Sequence, residues 1–148
     1  MPKITIHLEQ RRYFICTETV KKQFLAVLKK EHIKCDELIV HYVTPRKIKD
    51  LHKIFFNDPS TTDCITFPIH GQKKDNRYSI LGEIFICPAT AKQYAHDHEK
   101  NNFEELTLYL VHGFLHLIGY NDILIKDKKI MRQKEKECIL FLKEKGLL

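Results

Sequence analysis

Residues Leu106–Asp122 read LTLYLVHGFLHLIGYND. From Leu106 to Ile118 only Thr107, His112 and His116 interrupt an apolar run around Gly113. The run is too short for a bilayer, which needs roughly 20 apolar residues, and long enough for a helix buried on most of its surface. On such a helix His112 and His116 lie one turn apart on one face. Gly119 suits the left-handed position that ends a helix, and the chain then presents Asp122. The pattern H-x3-H-x2-G-x2-D offers three protein ligands and room for a water, the usual layout of a catalytic zinc site.

The chain has nine histidines, so an H-x3-H pair alone is weak, and two satisfied core histidines are the plain alternative. Burial favours a metal. Each unpaired imidazole on an apolar helix costs on the order of 1–3 kcal/mol, and one ion would satisfy both. Gly119 and Asp122 fall where the long zinc motif of metzincin proteases has its glycine and third ligand. Those proteases carry a general-base Glu directly after the first histidine; Gly113 stands there here. A metal hydrolase acting on something other than peptides follows. If Asp122 is not the third ligand, Asp127 is the nearest alternative.

At this point HGFLHLIGYND resembles the H-G-x-L-H-L-x-G-Y-D-H signature of the YbeY endoribonucleases. Leu51–Pro68, LHKIFFNDPSTTDCITFP, is similar to that family's L-N-x-x-F-R-x-K-D-x-P-T-D-V-L-S-F-P block. Leu81–Ile86, LGEIFI, is similar to its L-G-D-I-x-I, and Met131 and Glu135 match its M-x-x-x-E. The chain departs at five positions. Asp122 replaces the third histidine, Asn121 the Asp before it, Phe56 an arginine, Asp58 a lysine, and Glu83 the Asp of L-G-D-I. Asp is an accepted zinc ligand, but its hard oxygen makes the site less selective for zinc.

The resemblance implies a zinc-dependent, single-strand-specific endoribonuclease with one zinc ion per chain, held by His112, His116 and Asp122, which also form the catalytic centre. It implies action in ribosomal RNA maturation and ribosome quality control, with ribosomal RNA and the small ribosomal subunit as partners and no organic cofactor. Glu83 and Asp63 enter as acid–base candidates only through the family blocks; an edge-strand charge and a loop carboxylate are the plainer readings. A non-catalytic assembly factor with a basic groove and a structural metal is the competing function. A metalloprotease is disfavoured by Gly113.

Length and composition fit this frame. The 148 residues suit one domain, 1–148, and 43% hydrophobic residues is ordinary for a globular chain. Five cysteines without a C-x-x-C pair read as small buried hydrophobes in a reducing compartment. MPKITIHLEQ has no apolar signal core, so a cytoplasmic protein without a membrane partner is expected. The net charge of +6 is uneven: residues 1–53 hold 12 Lys/Arg against 6 Asp/Glu, whereas residues 54–148 hold 13 of each. A basic first third suits a polyanion such as RNA, or is a solvated face without a partner.

Periodicity supplies the elements. Strands are expected at Ile4–Leu8, with Arg12–Cys16 as a continuation, and at Asp36–Thr44, Cys64–Ile69 and Ser79–Cys87, the last two as an antiparallel hairpin. A helix begins near Glu18, capped by Thr17 or Thr19. Another follows Pro45 with an apolar stripe of Ile48, Leu51, Ile54 and Phe55. Asn57–Asp63 reads as loop, and Pro88 opens a helix to about Glu99. Asn101 or Asn102 caps the metal helix, and Lys126 to about Lys145 turns Ile130, Cys138, Ile139 and Leu142 inward. The outcome is a single α+β domain with four or five strands and five helices. The resemblance adds a small mixed sheet flanked by helices, with a metzincin-like metal helix at its centre.

Overall fold

The computed structural model describes residues 1–58 and 62–148; Pro59, Ser60 and Thr61 of the expected loop lie outside the described residues. The elements in chain order are β1 (Lys3–Leu8), α1 (Thr17–Lys30), β2 (Glu37–Tyr42), α2 (Pro45–Phe56), β3 (Cys64–Pro68), β4 (Ile80–Ile86), α3 (Pro88–Asp97), α4 (Asn102–Leu117) and α5 (Ile125–Glu144). The sheet order is β1-β2-β4-β3. β1, β2 and β4 run parallel, and β3 is antiparallel to β4, as the hairpin reading expected.

Alternation sets the two faces of this sheet. In β2, Leu38, Val40 and Tyr42 are buried while the residues between them are half-buried. The buried set joins Ile84 and Ile86 of β4, Phe24 and Leu28 of α1, Leu110 and Phe114 of α4, and Met131 and Cys138 of α5 in one core. Each fully buried side chain such as Leu110 or Phe114 contributes about 1.5–3 kcal/mol of transfer free energy. On the opposite face Ile48 of α2 packs with Val43, Ile65, Phe85 and Cys87 in a smaller cluster.

α4 is the helix the rest is built on. Its cap is Asn101, whose side-chain oxygen accepts the Glu104 N–H at 3.0 Å. Gly113 faces the sheet so closely that a Cβ there would meet Ile84 Cγ2 at 2.8 Å and Cys64 Sγ at 3.0 Å. Any side chain at this position would press on β3 and β4, so the packing disfavours the carboxylate that the protease motif places there.

Five expectations need correction. Arg12–Cys16 forms no strand, because the Gln10 side chain bonds both backbone groups of Tyr13 and bends the chain there. The cap of α1 is Cys16, with no side-chain cap bond; Thr17 is already helical, and the Thr19 hydroxyl turns back to the Cys16 sulfur. Cys16 is exposed and so is not a core hydrophobe, unlike Cys35, Cys87 and Cys138. Along α2 Ile48 is buried and Leu51 partly so, while Ile54 and Phe55 stay largely exposed, because among the described residues no element covers their side of the last turn. In α5 Met131, Glu135, Cys138 and Leu142 are buried and Ile139 packs partly buried against the core, as expected, whereas Ile130 points out. No helix among the described residues is long and apolar enough to cross a membrane.

Candidate metal centre

The C-terminal turn of α4 delivers all three expected ligands to one place. The helix ends in a Schellman motif: Gly119 N–H bonds the His116 carbonyl at 3.1 Å and Tyr120 N–H bonds the Leu115 carbonyl at 3.0 Å. Gly119 sits at φ +110, a conformation strained for any residue with a side chain. The reversal brings Asp122 back over the helix. Its Oδ2 lies 3.7 Å from His112 Nε2 and 3.9 Å from His116 Nε2, and the two Nε2 atoms are 3.0 Å apart. Asp127, the fallback ligand, is not part of this group.

The outer ring nitrogens fix the tautomers. His116 Nδ1 faces the Tyr120 carbonyl at 3.1 Å, which can only accept, so Nδ1 carries the proton. His112 Nδ1 faces Glu135 Oε2 at 3.3 Å and donates in the same way. Both Nε2 atoms therefore present lone pairs to one another and to the Asp122 carboxylate. Three lone-pair-bearing atoms within 4.8 Å of one another, with no proton among them, repel unless a cation lies between. Two imidazoles, each oriented by an acceptor behind it, and one carboxylate are what a divalent metal requires. Burial, then the neighbouring His112, lowers the pKa of His116 against the pull of Asp122, which keeps the ring neutral and able to ligate.

Glu135 is buried at 3% exposure. Burial alone would raise its pKa, but the His112 ring and the Arg132 guanidinium, which donates to both carboxylate oxygens, bring it below the usual value. Glu135 is thus an anion behind His112. The M-x-x-x-E spacing in the sequence pointed to this residue but not to its task. The Tyr120 carbonyl left no trace in the sequence, since any residue there has one.

The site opens into a cleft of about 300 Å³ walled by His52 and Phe56 of α2, Cys64 and Thr66 of β3, and the two histidines. A larger concavity of about 840 Å³ lies elsewhere, between Phe14, Val20, Phe103 and Leu147; its apolar lining carries no comparable chemistry. Burial raises the Cys64 thiol well above its ordinary pKa, which leaves it unreactive.

Glu83 is not brought to the site. β4 lies between β2 and β3, so Glu83 is not an edge charge. Ile84 touches the Gly113 position, so its neighbour Glu83 points to the opposite face, 3.7 Å from His41 Nε2. Asp63 lies beside the hydroxyl of Tyr109, one turn before His112, where burial and then the Asp63 charge hold the phenol protonated.

Comparison with known proteins follows the same pattern. A protein described as Endoribonuclease YbeY from Protochlamydia amoebophila is 47% identical over 118 residues, covering 80% of this chain and 78% of its own length. The protein of the same description from Chlamydia felis is 32% identical over 149 residues, covering 99% and 94%. A solution structure of a Thermotoga maritima protein superposes with a TM-score of 0.69 at 28% identity, covering 97% of this chain and 91% of that one. The family model described as Endoribonuclease YbeY matches residues 5–143, and with the fold and the motif in agreement, the chain belongs to the YbeY family.

Proposed function

We propose that this protein is a metal-dependent endoribonuclease that cleaves single-stranded RNA, with ribosomal RNA of the small subunit as its substrate, in the maturation and quality control of ribosomes in the cytoplasm. The observation that carries the reading is the convergence of two tautomer-fixed Nε2 atoms and one carboxylate in an open cleft. The family supplies the reaction class, since curated relatives are named endoribonucleases.

His112, His116 and Asp122 would hold one zinc ion. Bound there, zinc supplies Lewis acidity toward a phosphodiester and lowers the pKa of water. The chain's own residues set the conditions for this. Glu135 and the Tyr120 carbonyl keep both imidazoles in the ligating tautomer. Arg132 neutralises Glu135, so the net charge behind His112 is near zero and the cleft remains hospitable to a phosphate. Asp122 adds one negative charge that a third histidine would not, and its oxygen widens the range of divalent ions accepted.

The test is elemental analysis of the purified protein together with cleavage of small-subunit ribosomal RNA. About one zinc per chain, with cleavage abolished in His116→Ala, supports the enzyme. Stoichiometric metal and RNA binding without cleavage supports a binding factor with a structural metal instead. Cleavage that persists undiminished in metal-free protein excludes a metal-dependent mechanism.

A further inference from the structure

The last turn of α2 carries three exposed apolar side chains: Ile54 at 72%, Phe55 at 60% and Phe56 at 53%. One exposed apolar residue is ordinary. Two of the three share one surface, because Phe55 and Phe56 both lie against Phe67, with ring centroids 5.0 Å and 6.3 Å away, and both remain more than half exposed; an aromatic pair held in water in this way points to a ligand. Phe55 meets Phe67 edge-on, and Phe56 lies more nearly parallel to it, at 28°. Phe56 differs, because it walls the same cleft as His112 and His116. Its ring stands tilted to His52, centroids 5.6 Å apart. Exposed Arg46, Lys47, Lys49 and Lys53 lie on the same helix. A flat apolar ring set in a basic surface is what holds a single strand by its bases while cations follow the phosphates.

We propose that Phe56 is a stacking platform that seats one nucleobase of single-stranded RNA beside the His112–His116–Asp122 centre. The inference rests on the ribonuclease reading above. It adds that this chain positions its substrate at position 56 through a base. A guanidinium there would grip a phosphate; a phenyl ring offers no donor and binds the face of a base. Stacking is tolerant of sequence, so the platform fixes where the strand lies and does not select its letters.

The test uses metal-loaded, full-length protein and short fluorescein-labelled RNAs, either intact or with one abasic site placed at successive positions. Anisotropy and cleavage are followed in the same samples. Wild type should lose affinity roughly 5- to 150-fold at one abasic position, the range of a single base–aromatic stack. Phe56→Leu should lose a similar factor on intact RNA and no longer sense that abasic position, with zinc content unchanged. Phe56→Trp should retain both properties. Phe56→Arg should bind without abasic sensitivity, and its log affinity should fall more steeply with log salt, by about 0.7 for one added phosphate contact. Phe14→Leu, at an exposed phenylalanine lining the remote concavity, should behave as wild type. Wild-type affinity in Phe56→Leu with unchanged abasic sensitivity overturns the platform while leaving the ribonuclease intact. An equal loss in Phe14→Leu also overturns it, as nonspecific apolar adhesion. A wild type that neither binds nor cleaves RNA overturns the ribonuclease reading and the platform together.

Discussion

At the scale of single residues, the centre depends on where protons sit. Each Nδ1 has an acceptor behind it, and this turns two ordinary histidines into a pair of inward lone pairs. Replacing Glu135 by Gln keeps the shape but removes the charge that holds the His112 proton. Zinc affinity, measured by competition with a chromogenic chelator, should fall about 10- to 100-fold, the usual effect of losing such a partner. An unchanged affinity would mean that Glu135 serves only Arg132. Asp122→Ala leaves two protein ligands and should lower zinc affinity by at least about 100-fold. Asp122→His should bind zinc more tightly than wild type and discriminate better against manganese. If Asp122→Ala retains zinc at full affinity, Asp122 is not a ligand, despite lying 3.7 Å and 3.9 Å from the two rings.

Among the elements, α4 carries the chemistry and the core at once, so its position is constrained from both sides. Gly113 lets it settle onto β3 and β4. Alanine would gain roughly 1 kcal/mol of helix propensity. It would also press on Ile84, a fully buried β-branched side chain that cannot swing away, and overpacking of this kind costs about 1–3 kcal/mol. Gly113→Ala should therefore be neutral to destabilising by about 2 kcal/mol in urea unfolding, with a weakened metal site because the helix must lift. A clear gain in stability would show that the close approach carries no strain. A second contact, between α1 and α5, responds to pH. Glu31 meets Lys134 at 2.7 Å and Lys30 at 2.9 Å. Burial opposes its charge, but the two lysines win and hold its pKa below the ordinary carboxylate value. A carboxylate lowered in the folded state stabilises above its unfolded pKa and loses that contribution as pH falls through the folded value. Wild type should thus lose stability below about pH 4.5 more steeply than Glu31→Gln. Parallel unfolding curves for the two across that range would remove Glu31 from the account.

Over the whole molecule, charge and chemistry meet at α2. Its basic residues are exposed and its last turn walls the metal cleft, so a strand gripped there would enter the site. RNA affinity should fall steeply with salt, and reversing Lys47 and Lys49 to Glu should weaken binding and flatten the salt slope. Fluorescence titration across a range of salt checks this; indifference to both salt and charge reversal would move the RNA path off α2.

The metal motif was legible in the chain because it is local. Four-residue spacing on a helix, a glycine at the turn and a carboxylate three residues later bring three candidate ligands together through geometry that needs no other element. The β3–β4 hairpin, the Asn101 cap and most strand and helix bounds were legible for the same reason. What the local signal could not carry was the identity of neighbours. Periodicity marks an apolar stripe but not whether anything covers it, so Ile54 and Phe55 read as core although both stay largely exposed among the described residues. The same limit misplaced Glu83, because strand order, not composition, decides which strand is an edge. Glu135 and Phe56 became parts of the site only when α5 and α2 were packed against α4 and β3. Their roles are contacts between segments far apart in the chain, and only tertiary packing creates such contacts.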